Sequence, residues 1–183
     1  MTGAPASPLR TVVVNGSPSH PSRSRTLAEH VVGLLEDGRS GGARFVDLAE
    51  LDPAALLALG SDPGVDEAVA AVADAQILVV ATPVYRATYT ALTKTIFDLQ
   101  PQGALAGSVV IPIATGYGAD HRLAIDHGLR PLVASLDGWT TPTGIYATRA
   151  DLADDGTIAE AVRAAARRAV DEAVALAAAL APR

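Results

Sequence analysis

The 183-residue sequence predicts an α/β fold built around a parallel β-sheet. Short apolar runs alternate along the chain with stretches of helical spacing, and this alternation of strand and helix occurs five times. The run at 77–81 has no polar residue at alternate positions, which is typical of a parallel strand covered on both faces. We therefore expect five parallel strands with helices on both faces of the sheet.

The predicted strands are apolar runs bounded by polar or turn-forming residues, and they lie at 9–14, 44–48, 77–81, 108–114 and 139–147. The second of these runs is shorter than the first. Pro112 lies inside the fourth run, and a proline in a central strand removes one hydrogen bond of the sheet. We expect a bulge or local irregularity at that position.

The predicted helices have apolar residues three and four positions apart, and they lie at 24–35, 65–73, 90–99, 121–136 and from 157 onward. Residues 53–59 are predicted to form a short helix or a lid-like insertion. In the fourth helix, Gly128 and Pro131 predict a kink or a π-bulge. Thr157 and Glu160 have the spacing of a capping box, so we expect the last helix to begin there.

The composition indicates a globular protein of one domain, with 49% hydrophobic and 19% charged residues. We place this domain at 9–183 and expect residues 1–8 to be a disordered lead-in. The net charge of −6 argues against non-specific binding to nucleic acid or to an anionic membrane. We expect a cytoplasmic protein, because the sequence shows neither a signal peptide nor a run approaching about 18 apolar residues. The chain has no cysteine, which excludes disulfides, thiolate zinc sites and a cysteine nucleophile.

Three segments of unusual composition follow predicted strands, namely NGSPSHPSRSRT at 15–26, ATPVYRATY at 81–89 and ATGYGAD at 114–120. In an open parallel sheet, ligands bind beyond the carboxyl ends of the strands, where the strand order reverses. The carboxyl ends of parallel strands share one edge of the sheet. We therefore predict that these three loops form one binding site.

The first loop has the composition of a phosphate site. Gly16 permits a tight turn, and the helix that follows directs free backbone N–H groups towards the loop. The loop also offers hydroxyl and guanidinium donors, which belong to Ser17, Ser22, Arg23, Ser24, Arg25 and Thr26. The alternative is a polar loop in which Ser22 or Ser24 only caps the helix.

Several classes of phosphate site are excluded by the sequence. A P-loop needs Gly-Lys-Ser/Thr, and Lys94 is the only lysine of the chain. The dinucleotide fingerprint is missing because only Gly16 occupies the turn, and Asp47 is a weak candidate for its acidic residue. A low-molecular-weight phosphatase needs a cysteine in this loop. A mononucleotide site for a phosphate monoester remains.

The second and third loops predict a surface for a flat ring. Pro83 forces the chain out of the sheet, and Tyr85 offers an apolar or stacking contact. Gly116 and Gly118 allow the backbone to approach a ligand closely. Tyr117 either flanks the ring or covers the loop.

The segments GSPSHPSRSRTLA, TPVYRATYTALTKTIFDLQP and IPIATGYGADHRLAIDHGLRP resemble those of the NADPH-dependent FMN reductase family over about residues 11–146. The similarity is greatest to reductases that supply reduced flavin to alkanesulfonate monooxygenases. It implies a flavodoxin-like fold in which the first loop binds the FMN phosphate and the other two hold the isoalloxazine. The cofactor-binding residues implied are Ser17, Ser22, Ser24, Arg25, Thr26, Pro83, Val84, Tyr85, Arg86, Thr115, Gly116, Tyr117 and Gly118. Many relatives have an arginine where this chain has Ser19, which puts one phosphate or ring contact in doubt.

The resemblance also singles out His127. In the sulfonate-linked reductases the matching residue lies in a π-bulge at a subunit interface and is associated with releasing flavin as a substrate. The alternative is that His127 is an ordinary helix residue. The other histidines, His20, His30 and His121, lack the spacing of metal ligands, and we predict no metal site. We also predict no catalytic acid or base, since hydride transfer to flavin needs little from side chains.

The resemblance thus implies an NAD(P)H-dependent FMN reductase, using FMN with NADPH or NADH, that supplies a two-component monooxygenase of the sulfonate type. Small and apolar residues at 88–99 and 121–136 predict a homodimer or homotetramer. The alternatives are a quinone or azo reductase that retains FMN, and a flavodoxin-like electron carrier. A carrier usually holds its ring between aromatic side chains, and an aromatic content of 4% disfavours it.

Overall fold

The computed structural model of the protein describes residues 9–36, 40–153 and 155–180, and the predicted lead-in at 1–8 lies outside them. The strands are β1 (Leu9–Asn15), β2 (Ser40–Asp47), β3 (Ile77–Pro83), β4 (Val109–Gly116), β5 (Trp139–Thr140) and β6 (Ile145–Thr148). The α-helices are α1 (Arg23–Glu36), α2 (Pro53–Leu56), α3 (Pro63–Asp74), α4 (Ala91–Asp98), α5 (Arg130–Ala134) and α6 (Glu160–Leu180). Within these ranges, no helix combines the length and the apolarity that a bilayer crossing requires.

The strands pair in parallel in the order β2-β1-β3-β4-β5, and β6 also pairs with β4. This is the strand order of flavodoxin-like folds, which reverses between β1 and β3. Because all pairs are parallel, the carboxyl ends of the strands lie at one edge, and their following loops meet there. The predicted α/β class with a flavodoxin-like sheet is confirmed.

The predicted fifth strand at 139–147 is wrong in its middle, because β5 and β6 are separate segments beside β4. They leave Ile111 and Pro112 of β4 unpaired on that side, as far as the described ranges extend. Val110 O accepts a bond from Thr141 N (3.0 Å), so the backbone of Pro112, two residues later, faces the same side. The N–H that proline lacks therefore falls at the gap. The pairing of β3 with β4 continues without a shift through Pro112. The predicted irregularity therefore lies on the other side of β4, in the break between β5 and β6.

Side chains of two helices hold the backbone at this gap. Arg130 of α5 donates to Thr141 O and to Pro142 O, both at 2.7 Å. From the other face of the sheet, the Glu172 carboxylate of α6 accepts bonds from the N and Oγ1 of Thr143, both at 2.7 Å. These bonds satisfy backbone groups that a continuous strand would pair.

Both faces of the sheet are buried, because successive residues of a strand point to opposite layers. Val12 and Val14 of β1 pack in the layer formed with α3, α4 and α5. Val13 packs in the other layer, with α1 and α6. The uninterrupted apolar strands of the sequence are explained by this double cover.

The last helix begins later than predicted. It starts at Glu160, and the carbonyl oxygen of Thr157 accepts a bond from Ala153 N (2.9 Å) instead. Ile158 pairs with Leu152 in an antiparallel bridge. The predicted capping box is wrong, because pairing within this narrow loop keeps its residues out of the helix.

A π-helix at Ile125–Leu129 interrupts the fourth predicted helix, as the sequence predicted. In an α-helix the carbonyl of His127 would accept a bond from the N–H of residue 131, and Pro131 has none, which favours a wider turn. Gly128 lets this turn approach the loop after β3 closely. A Cβ at this position would lie 2.7 Å from Oγ1 of Thr88.

We expect Glu172→Gln to lower the free energy of unfolding by about 1–3 kcal/mol, because the amide nitrogen cannot accept a bond from Thr143. Glu67→Gln is the matched control, since Glu67 forms an exposed ion pair with Arg44 at 3.4 Å. Its loss should change the free energy by less than about 1 kcal/mol. Urea unfolding followed by circular dichroism measures both variants, and equal effects would contradict the anchoring role of Glu172.

Candidate functional site

The carboxyl edge of the sheet contains a cleft of about 510 Å³ to which all three predicted loops contribute. A fourth segment, which follows β6, completes its wall. The cleft is lined by Ser17, Ser19, Pro21, Ser22, Arg23, Ser24, Thr26, Pro83, Val84, Tyr85, Thr115, Gly116, Tyr117, Thr148, Arg149, Leu152, Ala153 and Gly156. The three loops predicted to meet thus do line one cleft, and the fourth segment was not predicted.

The serines of the first loop form a buried network at the start of α1. Ser22 caps the helix, because its Oγ accepts a bond from Arg25 N (3.2 Å). Its hydroxyl lies 2.9 Å from that of Ser24, which donates to Asn15 Oδ1 at 3.1 Å. Ser22 thus caps the helix and also lines the cleft. The same cap fixes the first helical turn, whose N–H groups are donors suited to an anion.

Arg25 has its guanidinium on the far side of this network, against β2. It pairs with Asp47, whose other oxygen accepts a bond from Asn15 Nδ2 at 2.7 Å. It also pairs with Glu29 at 2.8 Å and lies 4.7 Å from the ring centre of Phe45. Arg25 was predicted to bind the cofactor, but the structure does not bring its side chain to the cleft.

Gly16 is held between β3 and the start of α4. Its N–H donates to Ala81 O (2.8 Å), and its carbonyl accepts a bond from the hydroxyl of Thr90 (2.7 Å), the N-terminal cap of α4. Thr93 donates to the hydroxyl of Thr82 at 2.9 Å. A Cβ on Gly16 would lie 1.8 Å from Oγ1 of Thr93. Only glycine fits here, so the first loop is positioned by direct contact of its backbone with α4.

The second loop forms a strained turn at the rim of the cleft. Tyr85 N donates to Thr88 O at 2.9 Å, and the two residues between them, Arg86 and Ala87, have φ values of 52° and 72°. Such values cost about 1–2 kcal/mol for each residue with a side chain. Tyr85 lines the cleft and is 49% exposed, whereas Arg86 does not line it.

The second and third loops are joined by a backbone bond from Val84 N to Thr115 O at 2.7 Å. Thr115 is buried in the floor of the cleft beside Gly116. Tyr117 is 89% exposed. The interpretation that Tyr117 covers the loop is therefore wrong, and its ring stands free at the mouth of the cleft.

Tyr146 of β6 supports the third loop from the side. Its hydroxyl donates to Gly118 O at 2.5 Å, and a Cβ on Gly116 would lie 2.4 Å from the hydroxyl oxygen of Tyr146. Burial raises the pKa of Tyr146, and the nearby carboxylates of Asp151 and Asp120 raise it further. The hydroxyl therefore stays protonated and remains a donor. Gly118, a predicted site residue, contacts this support and does not line the cleft.

The segment after β6 was not predicted as part of the site. The Asp151 carboxylate accepts bonds from the N and Oγ1 of Thr148 at 2.8 and 2.7 Å, which fixes the turn that carries Arg149. The chain then folds back through Gly156, whose φ is 85°. Asp155-Gly156 is a turn signal that could have revealed this loop, but the predicted helix start at 157 obscured it.

The described lining of the cleft suits an anionic ligand with a flat ring. Its charged side chains are Arg23 and Arg149, and no aspartate or glutamate occurs among the lining residues that the structure describes. This contrasts with the net charge of −6 for the whole chain. Serine hydroxyls and the start of α1 suit a phosphate, and the second and third loops leave an open surface beside it. These residues fit FMN.

His127 lies outside the cleft and is exposed on the π-helix. The π-helix nevertheless contacts the second loop, because Gly128 packs against Thr88 and the ring of Tyr89. Among the residues described by the structure, no group of three or more possible ligands is placed to hold a metal ion.

We expect Gly16→Ala to destabilise the fold by about 1–3 kcal/mol or more, because the added methyl group overlaps Thr93. Gly33→Ala is the matched control. Gly33 is exposed in α1 with nothing within 4 Å of its added Cβ, so the change should stabilise the helix by up to about 1 kcal/mol. Thermal unfolding measures both, and stabilisation by Gly16→Ala would contradict the close contact with α4.

We expect Ala87→Gly to raise the free energy of unfolding by about 1 kcal/mol, since glycine adopts a φ of 72° without strain. The same substitution at Ala164, exposed in α6, should lower it by a similar amount. Urea unfolding of the two variants gives the sign of each effect. Destabilisation at both positions would show that the turn at 85–88 is not strained.

Comparison with known proteins finds FMN reductases. The family model for NADPH-dependent FMN reductase matches residues 9–152. The chain is 36% identical over 172 residues to the NADH-dependent FMN reductase SfnE of Pseudomonas putida, covering 90% of this chain and 92% of that protein. It is 34% identical over 173 residues to the FMN reductase (NADPH) of Pseudomonas aeruginosa, covering 93% of each.

A solved structure is similar throughout. The apo form of the NADH:FMN oxidoreductase EmoB superposes with a TM-score of 0.83 at 34% identity, covering 91% of this chain and 89% of that one. The predicted family, its oxidoreductase class and its pairing of FMN with a nicotinamide nucleotide are thus confirmed at the level of the family. The chain belongs to the NADPH-dependent FMN reductase family.

Proposed function

We propose that the protein is an NAD(P)H-dependent FMN reductase that supplies reduced flavin to a two-component monooxygenase of the sulfonate type. The observation that carries this proposal is the cleft itself. Its described lining joins a serine loop at a helix N-terminus to an open, ring-sized surface formed by the loops after β3 and β4. A phosphate and a flat ring on one ligand match these two parts.

The phosphate is held by the start of α1 and by the serine loop. Ser17, Ser22 and Ser24 are buried there, and Arg23 adds a positive charge at the cleft. Thr26 lies one helical turn after Ser22 and also lines the cleft. The dipole of α1 reinforces this preference for an anion.

The ring is held between the second and third loops. Pro83, Val84 and Tyr85 line one side, and Thr115 and Gly116 line the other. Bound flavin supplies the hydride-accepting chemistry. The protein holds the ring against the backbone at the strand ends, and we propose that it supplies no acid or base to the reaction.

The geometry favours a reductase over an electron carrier. The aromatic residues of the described lining are Tyr85 and Tyr117, and Tyr117 is 89% exposed. Two such residues do not enclose the ring in a closed sandwich. The open side leaves space for a nicotinamide to stack on the flavin, which a reductase needs and a carrier does not.

An FMN-retaining quinone or azo reductase is the second candidate. Retained flavin binds with a nanomolar Kd and substrate flavin with a micromolar Kd, a difference of about 4 kcal/mol. Ser19 favours the weaker binding, because a hydroxyl replaces the arginine that many relatives have there. We therefore propose that FMN is a substrate of this protein and not a retained group.

We also propose that the protein works in the cytoplasm as a homodimer or homotetramer. Leu123 is 51% exposed and follows the third loop, and the exposed His127 lies on the adjacent π-helix. Apolar and polar groups of this kind suit a symmetric interface. Since the π-helix contacts Thr88, an interface there would act on the second loop.

The test is oxidation of NADPH and of NADH by the purified protein while free FMN is added, with riboflavin as a comparator that lacks the phosphate. We expect turnover that depends on added FMN and saturates at micromolar concentration. Riboflavin should be a weaker substrate, because the serine loop then has no phosphate to bind.

Ser17→Ala, made in parallel, should raise the Kd for FMN while kcat at saturating FMN changes little. Ser61→Ala, at an exposed serine before α3 and outside the cleft lining, is the control with the same substitution. A protein that purifies yellow and turns over without added FMN would support the quinone or azo reductase instead. Failure of any flavin to bind would contradict both candidates.

A further inference from the structure

The lining of the cleft contains two arginines at different ends of the sheet edge. Arg23 begins α1, which follows β1, whereas Arg149 follows β6 directly. β1 and β6 are three strand positions apart, with β3 and β4 between them. At about 4.8 Å per position, the strand ends that carry the two arginines are about 14 Å apart. The backbones of Arg23 and Arg149 therefore lie at separate parts of the cleft.

The strand register places Arg149 beside the third loop. Thr148 is the partner of Gly116 in the pairing of β6 with β4, so the next residue leaves the sheet next to Tyr117. This is the ring end of the cleft and not the serine loop. A positive charge here lies beside the surface proposed for the flavin ring, on which a second molecule would stack.

The backbone of Arg149 is fixed while its side chain is available. The Asp151 carboxylate accepts two bonds from Thr148, which hold the turn on both sides of Arg149. Throughout the described part of the chain, no carboxylate forms an ion pair with the Arg149 guanidinium. The carboxylates of Asp151 and Asp120 lie close to Tyr146, and neither lines the cleft.

A flavin reductase must bind two molecules that carry phosphate. The serine loop and the start of α1 provide donors for one phosphate monoester, that of FMN. A nicotinamide dinucleotide brings a pyrophosphate, and NADPH brings a 2′-phosphate in addition. A guanidinium binds either group through paired, charge-assisted hydrogen bonds.

We infer that Arg149 forms a second anion subsite, which binds a phosphate of the nicotinamide dinucleotide while its ring stacks on the flavin. The inference rests on the proposed function and assigns a residue to the substrate that the serine loop does not hold. The relatives described above include one named for NADH and one named for NADPH, so the choice of nicotinamide varies within this family.

The test is Arg149→Gln, with Arg168→Gln as the control. Arg168 is exposed on α6 outside the cleft lining, and its loss changes the net charge equally. For each protein we would measure the KM for NADPH and NADH, the Kd for FMN, and the binding of NADP⁺ and NAD⁺ by equilibrium dialysis at saturating FMN. The oxidised nucleotides report binding without turnover.

We expect Arg149→Gln to raise the KM for the nicotinamide and the Kd for its oxidised form by about tenfold or more, as loss of a charged hydrogen bond does. The Kd for FMN should stay within about twofold, and Arg168→Gln should change neither. An effect on NADPH and NADP⁺ alone assigns Arg149 to the 2′-phosphate. Equal effects on both nucleotide pairs assign it to the pyrophosphate.

Other results overturn the inference. Unchanged nicotinamide binding in Arg149→Gln, or an equal change in Arg168→Gln, shows that no specific subsite exists. A larger effect on FMN than on the nicotinamide assigns Arg149 to the flavin. If the unmodified protein reduces FMN and only this inference fails, the proposed function stands; if it binds no FMN, both fail.

Discussion

The contact between Gly16 and α4 is the constraint on which the rest of the site depends. The backbone of the first loop lies against Thr93 so closely that a single methyl group cannot be inserted. The hydroxyl of Thr90 closes the contact by donating to Gly16 O at 2.7 Å. Because α4 also follows the second loop in the chain, this contact fixes the first and second loops of the cleft relative to each other.

The fold could be predicted because its signals are local and repeated. The apolar run of β3 and the helical spacing of α1 each reflect burial against a neighbour, and such patterns are visible in one sequence. The split of the fifth strand was not visible in this way. It depends on Arg130 and Glu172, which bond the backbone between β5 and β6 from opposite faces of the sheet. These residues are distant in the chain from the backbone that they bond, so no short stretch of sequence shows the contact.

The candidate site was predictable where composition marks a strand end, as in the serine loop. The direction of individual side chains was not predictable. Arg25 belongs to the same dense segment as Ser24, yet it turns to Asp47 because helical geometry sends neighbouring residues to different faces. Arg149 was missed for the opposite reason, since its segment has ordinary composition and reaches the cleft through the pairing of β6 with β4.

The loop at 152–158 has a consequence for how the protein can change over time. The family model ends at residue 152, so Ala153 and Gly156 of the cleft wall lie beyond the part of the chain by which the family is defined. They stand between β6 and α6 and bond within their own loop, Gly156 N donating to Ala153 O at 3.0 Å and Ala153 N to Thr157 O at 2.9 Å. Substitutions or insertions there can reshape one wall without disturbing the loops after β1, β3 and β4. The architecture therefore leaves one wall of the cleft structurally separate from the three loops that form the rest of it.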